Sequence, residues 1–203
     1  MKMGLMWESA ISSDLTRQLV SVRRSLKQGA LCVLCFFCAF PITGFAAEYL
    51  TQEQFLGSVF GEQLPQPKVV WMKGDLRKSV EQILGHRYAG LRIRYWLTKD
   101  EQAEHLRTAW VLEEIGKELP ITAGFVVVSS EIESVQVLAF RESRGSEIRY
   151  PSFTRQFHAV GLTPDHYLNS HIDGISGATL SVRAMTRLSR VALLLHQQVV
   201  LDE

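Results

Sequence analysis

The chain has 203 residues, 46% hydrophobic and 21% charged, with a formal net charge of +1. That length fits one domain with additions, the apolar content is enough for a core, and the near-neutral charge excludes a basic field for nucleic acid. All three cysteines, Cys32, Cys35 and Cys38, fall in one apolar run, so nothing after residue 47 can form a disulfide, a thiolate metal site, an iron–sulfur cluster or a Cys-linked haem.

Residues 1–47 read as an export leader with an extension before it. Arg23, Arg24 and Lys27 precede an apolar run from Ala30 to Phe40, then Pro41 and the small-residue tail Gly44-Phe45-Ala46-Ala47. This order of charge, apolar core and small residues is that of a secretory signal peptide. The uncharged run from Gly29 to Ala47 also approaches the ~20 residues that span a bilayer, so a retained anchor is the alternative. Both readings place the rest of the chain outside the cytoplasm, in the periplasm or on the outer face of the inner membrane. Of 22 basic and 21 acidic residues, 17 and 19 follow residue 47, so the exported part carries −2.

Residues 48–89 suggest a helical N-terminal cap. Thr51-Gln52-Glu53-Gln54 has capping-box spacing and predicts a helix to Phe60, ended by Gly61 and the Pro65/Pro67 pair. Asp75 to Leu84 predicts a second helix, with Leu76, Val80 and Leu84 on one side and Gly85 closing it.

From residue 90 the periodicity changes. Leu91 to Tyr95 alternates strictly, and Thr98 to Glu101 reads as a turn. Further strands are expected over His105–Ile115, Pro120–Ser129 and Ser134–Arg141. In the last, Val135, Val137 and Ala139 are assigned to one face and Leu138 and Phe140 to the other. Short links between successive strands predict an antiparallel meander. Ser152 to Phe157 reads as a helical turn. Leu180 to Leu201 predicts a long helix with Val182, Met185, Leu188, Ala192, Leu195 and Val199 in a stripe, and Arg183, Arg187 and Arg190 opposite. The fold class is therefore α+β: an antiparallel meander packed against helices and closed by a long C-terminal helix. His158, His166 and His171 lack the spacing of a metal motif, and no metal site is assigned.

The chemistry concentrates before that last helix, in Asp173-Gly174-Ile175-Ser176-Gly177-Ala178-Thr179. Small residues at Ser176, Gly177 and Ala178 let backbone approach a ligand closely. The free N–H groups of a helix's first turn suit a phosphate, and Thr179 adds a hydroxyl there. An ordinary helix-capping turn, with Ser176 or Thr179 as cap, is the plainer alternative.

The pattern resembles the attachment motif of the FMN-binding domain family, which includes the C subunit of the sodium-pumping NADH:quinone oxidoreductase and the G subunit of the Rnf complex. Asp173, Ser176, Gly177, Ala178 and Thr179 match it position by position. The resemblance assigns residues 90–203 to an FMN-binding domain. It implies a covalent phosphoester between Thr179 and FMN, made by a separate Mg-dependent flavin transferase with FAD as donor. Glu142, Ser143 and Gly145 resemble the family's second loop, which implies that this loop borders the flavin; Arg144 departs from the pattern. Tyr150, Phe153 and Phe157 are candidates to cover a flat ring or to join the core.

The resemblance thus implies an exported flavoprotein that relays electrons between a membrane-bound or periplasmic partner and an acceptor, with Thr179 an anchor and not a catalytic residue. A non-redox extracytoplasmic module for a phosphorylated ligand or partner protein is the rival. A hydrolase using Thr179 or Ser176 is disfavoured, because no Gly-x-Ser-x-Gly elbow is present.

Overall fold

The computed structural model describes residues 47–99 and 105–202, so the leader expectation, apart from Ala47, and part of the turn at 98–101 lie outside the described residues. Six strands form one antiparallel sheet. In chain order they are β1 (Ala47–Glu48), β2 (Lys68–Trp71), β3 (Arg92–Lys99), β4 (Leu106–Ile115), β5 (Pro120–Val128) and β6 (Glu131–Phe140), arranged β1-β6-β5-β4-β3-β2. The helices are α1 (Gln52–Phe60), α2 (Gly74–Leu84), the single turn α3 (Pro151–Thr154) and α4 (Thr179–Asp202). The expected α+β meander and long C-terminal helix are both present. Among the described residues, no helix is long and apolar enough to cross a membrane.

Local signals account for most element ends. Thr51 Oγ1 accepts the Gln54 N–H at 3.2 Å, and Gln54 Oε1 accepts the Thr51 N–H at 2.8 Å, which completes the capping box of α1. Gly85 ends α2 in the left-handed conformation, its N–H on the Glu81 carbonyl.

Three features differ from the sequence reading. Two strands were not expected: β2 comes from the stretch read as purely helical, and β1 joins that stretch's first residue to the last residue of the expected leader. Each completes an edge of the sheet, β1 on Ala139–Phe140 and β2 on Arg92–Tyr95. Thr98 and Lys99 stay in β3, paired with Arg107 and Leu106, because the partner strand continues past the polar residues that suggested a turn. In β6 the alternation is broken twice. Val137 faces Ala123 and Ala139 faces Thr122, which leaves Leu138 as an extra residue, and Glu133 is a second. Such bulges shift the side-chain phase by one. Phe140 therefore joins Val135 and Val137 in the main core, while Leu138 turns to the other face.

The main core lies between the sheet and α2 with α4. Trp110, Phe125, Met185, Leu188, Leu193 and Leu195 are buried there, and Tyr95 stacks on Trp110 with centroids 4.9 Å apart. Each such side chain contributes roughly 1.5–3 kcal/mol by leaving water. On the opposite face, Phe55 and Leu56 of α1 close over Trp96, Ala109, Val126 and Leu138.

Burial on α4 is wider than one stripe. Ser181, Ser189 and His196 are buried along with the apolar residues. His196 Nδ1 meets Thr108 Oγ1 at 2.8 Å, Trp110 Nε1 donates to the same oxygen at 2.8 Å, and the Ser130 N–H reaches His196 Nε2 at 3.4 Å. The last contact makes Nε2 an acceptor and places the ring proton on Nδ1. The imidazole is neutral: burial lowers its pKa to about 4.

Candidate functional site at the start of the last helix

Thr179 is the first residue of α4 and is exposed. A turn leads into it, closed by the Ala178 N–H on the Ile175 carbonyl at 3.0 Å. Gly177 sits third in that turn at φ +81°, in the left-handed region where a side chain is strained. A methyl group on Gly177 or Gly174 would meet nothing within 4 Å, so the outer side of the loop is open.

Ala178 is the loop's anchor, only 3% exposed, and Ile172 and Ile175 pack against the main core. The first helical bond of α4 runs from the Val182 N–H to the Ala178 carbonyl at 2.9 Å. The N–H groups of Thr179, Leu180 and Ser181 thus precede the helical ladder and belong to the partial positive end of a 24-residue helix. Among the described residues, neither Ser176 nor Thr179 makes a side-chain hydrogen bond to the first turn.

The approach to the loop is pinned from the segment after β6. Gln156 Oε1 accepts the Asp173 N–H at 2.7 Å. The Asp173 carboxylate itself points into solvent, with His171 Nε2 3.7 Å away. Arg183, one turn into α4, is exposed as the sequence suggested.

The second loop, 141–145, is brought to this site at one end. Gly145 is buried at φ +91°, and a methyl group there would lie 2.7 Å from Ser181 Oγ and 3.2 Å from Ala178 Cβ. Ser143, two residues earlier, is exposed. The other end grips the β4–β5 turn. Glu142 Oε1 accepts the N–H groups of Lys117, Glu118 and Leu119 at 2.5, 2.6 and 2.9 Å. Burial pushes its pKa up, but the amides of Leu119, Glu118 and Lys117 outweigh that and hold the carboxyl below its usual range. Arg141 fixes the same hairpin through the Pro120 carbonyl at 3.2 Å and Thr122 Oγ1 at 2.9 Å. Sequence reasoning missed this role of Glu142, since its partners are main-chain amides more than twenty residues away.

The aromatic candidates separate. Phe153 and Phe157 are buried against each other, edge to face at 5.4 Å, and belong to the core. Tyr150 is 46% exposed, with the Arg149 guanidinium 4.9 Å from its ring. The sequence also gave no sign of a cleft beside β4, where the buried Glu114 carboxylate meets His86 Nε2 at 3.0 Å and Arg187 at 3.4 Å.

The exposed hydroxyl, the open turn and the unpaired N–H groups fit a phosphate-bearing ligand joined or held at Thr179. Residues 116–194, from the β4–β5 turn into α4, match the model of the FMN-binding domain family. A search of curated proteins returns no match.

Proposed function

We propose, starting from the match of residues 116–194 to the FMN-binding domain family, that this chain is an exported electron carrier holding FMN by a phosphoester to Thr179 Oγ1. The family match supports flavin binding. The single observation that supports covalent attachment is the placement of Thr179: an exposed hydroxyl at the positive end of a long helix, behind a turn with open space outside it.

In the attachment reaction, Thr179 Oγ1 forms a bond to the phosphorus that carries the riboflavin moiety of FAD. The pyrophosphate P–O bond breaks and AMP leaves, while the hydroxyl proton passes to the Mg-dependent flavin transferase. Thr179 is an anchor. The N–H groups of Thr179, Leu180 and Ser181 and the helix dipole stabilise the phosphodiester charge. Ala178 and the Gln156–Asp173 contact keep the loop in place. Asp173, exposed and close in sequence, is available to a Mg ion brought by the transferase. Bound FMN supplies one- and two-electron transfer, and the protein supplies attachment and electrostatics. Outside the cytoplasm a covalent link prevents loss of the cofactor by dilution. A redox partner in the periplasm or at the membrane completes the relay.

Co-expression with a flavin transferase tests this reading. The wild type should gain the mass of one FMN less water and keep its yellow colour after denaturation. Thr179→Ser should keep both, and Thr179→Ala neither. Flavin mass retained in Thr179→Ala would overturn the assignment. A module for a phosphorylated ligand without redox work is the surviving alternative if no flavin is taken up.

A further inference from the structure

β3 and β4 are paired along only part of their length. Their ladder runs from Tyr95 and Trp110 to Lys99 and Leu106. Before Tyr95, β3 continues as Arg92–Arg94, paired on its other side with β2; after Trp110, β4 continues as Val111–Ile115, paired on its other side with β5. The two strands therefore part, and a cleft of about 650 Å³ lies where they separate. Small-molecule sites fall at roughly 300–1,000 Å³.

The cleft has a built wall and an apolar floor. Leu84, Ile93, Leu188 and Val191 line it and are buried. One wall is the segment after α2, whose Tyr88 and Gly90 carbonyls accept from the Arg77 guanidinium at 2.6 and 2.8 Å while the Met72 carbonyl before α2 accepts from the same group at 2.9 Å. Glu81 Oε1 adds a bond from the Tyr88 N–H at 3.1 Å. Three main-chain carbonyls on one guanidinium make this wall part of the fold.

The charge balance of the lining is one-sided. The buried Glu114 is matched by His86 and Arg187. Glu113 is taken by Arg141 at 3.2 Å and by the Thr122 hydroxyl at 3.0 Å. Arg92 lies over the Trp71 ring at 5.9 Å, with no carboxylate partner among the described residues. Arg87 and Arg94 also line the cleft, are exposed, and have no carboxylate partner among the described residues. Three guanidinium groups thus border an aliphatic floor whose own carboxylates are already neutralised.

We propose that this cleft is a second binding site, for a small anionic amphiphile with one acidic head and an aliphatic or aromatic body. The body lies on Ile93, Leu188 and Val191, and the head meets Arg87 and Arg94 at the rim. Arginine suits such a head because its planar fork donates two parallel hydrogen bonds to a carboxylate or phosphate. The lining includes neither Thr179 nor the loop before it, so the test does not depend on flavin attachment.

The test is titration of the full exported chain with decanoate, followed by amide NMR shifts and calorimetry, with decan-1-ol as the neutral match and acetate as the head alone. Decanoate should bind at least about tenfold tighter than either control. Its shifts should cluster on Ile93, Leu112 and Val191. Arg94→Glu, an exposed substitution that leaves the core intact, should weaken decanoate about tenfold or more and leave decan-1-ol unchanged. Thr179→Ala should bind as the wild type does. Equal binding of decanoate and decan-1-ol, shifts on the α1 face instead, or an Arg94→Glu protein that binds normally would each overturn the proposal.

Discussion

Gly145 lies directly against Ser181, so that a single methyl group on its Cα would sit 2.7 Å from the Ser181 hydroxyl oxygen. Through this contact the loop after β6 sets the position of the first turn of α4, where Thr179 stands.

Gly145→Ala and Gly177→Ala separate space from backbone strain. Both glycines have positive φ, +91° and +81°, but only Gly145 faces close neighbours. Gly177→Ala should cost about 1 kcal/mol, and Gly145→Ala about 2–3 kcal/mol, because a clash adds to the strain. Urea denaturation measures both, and flavin loading should fall further for Gly145→Ala.

Gln156→Leu removes the acceptor of the Asp173 N–H without touching the core. Global stability should drop by about 1 kcal/mol. Hydrogen exchange at Asp173 should quicken about tenfold, with Ala178 and the middle of α4 unchanged. Uniform acceleration through α4 would show that the bond holds the helix and not the loop.

Buried His196 predicts acid sensitivity. Its pKa is about 4 in the fold against an ordinary 6.5, so the unfolded chain binds more protons between those values. Stability is full above pH 6.5 and declines as pH falls toward 4, by on the order of 3 kcal/mol in total. His86 acts in the opposite sense. The Arg87 carbonyl and then Glu114 raise its pKa, so its contribution is present below 6.5 and fades as pH rises through the raised value. In a His86→Ala background, His196→Leu should flatten the unfolding free energy between pH 6.5 and 4.5.

Glu142→Gln tests the clamp on the β4–β5 turn. Three amides share one carboxylate oxygen, and the neutral amide should cost about 2 kcal/mol at pH 7. Because the Glu142 pKa is lowered from 4.5, the advantage of the wild type is present above 4.5 and disappears as pH falls through the lowered value. Parallel denaturation curves at pH 7 and pH 3 read the difference.

The β5–β6 hairpin turns on Ser129 and Ser130, both left-handed at φ 52° and 65°. A two-residue turn of this shape favours Asn-Gly. Replacing Ser129 with Asn and Ser130 with Gly should raise stability by roughly 1 kcal/mol, read as a higher thermal midpoint.

Much of the fold was legible because its signals are local. The Thr51–Gln54 capping box, Gly85 and the period of α4 each act within a few residues. Strand β2 was not, because its four residues owe their conformation to pairing with β3 rather than to an alternation of their own. Nor was the face of Phe140, since alternation assumes no inserted residue. At the site, small residues before a helical period announced an exposed Thr179. The partners of Glu142 and His196 are distant in sequence, and Phe153 and Phe157 had no local cue to separate a core role from a ligand-facing one.

The extra residue at Leu138 has a consequence beyond its own strand. Everything downstream of it is rotated by half a pleat, and Arg141 and Glu142 leave the sheet immediately afterwards. A relative with the same loop spelled letter for letter, but one residue shorter in the strand before it, would aim those two side chains away from the hairpin they now fasten. The aim of the loop is set by parity, upstream of the loop itself.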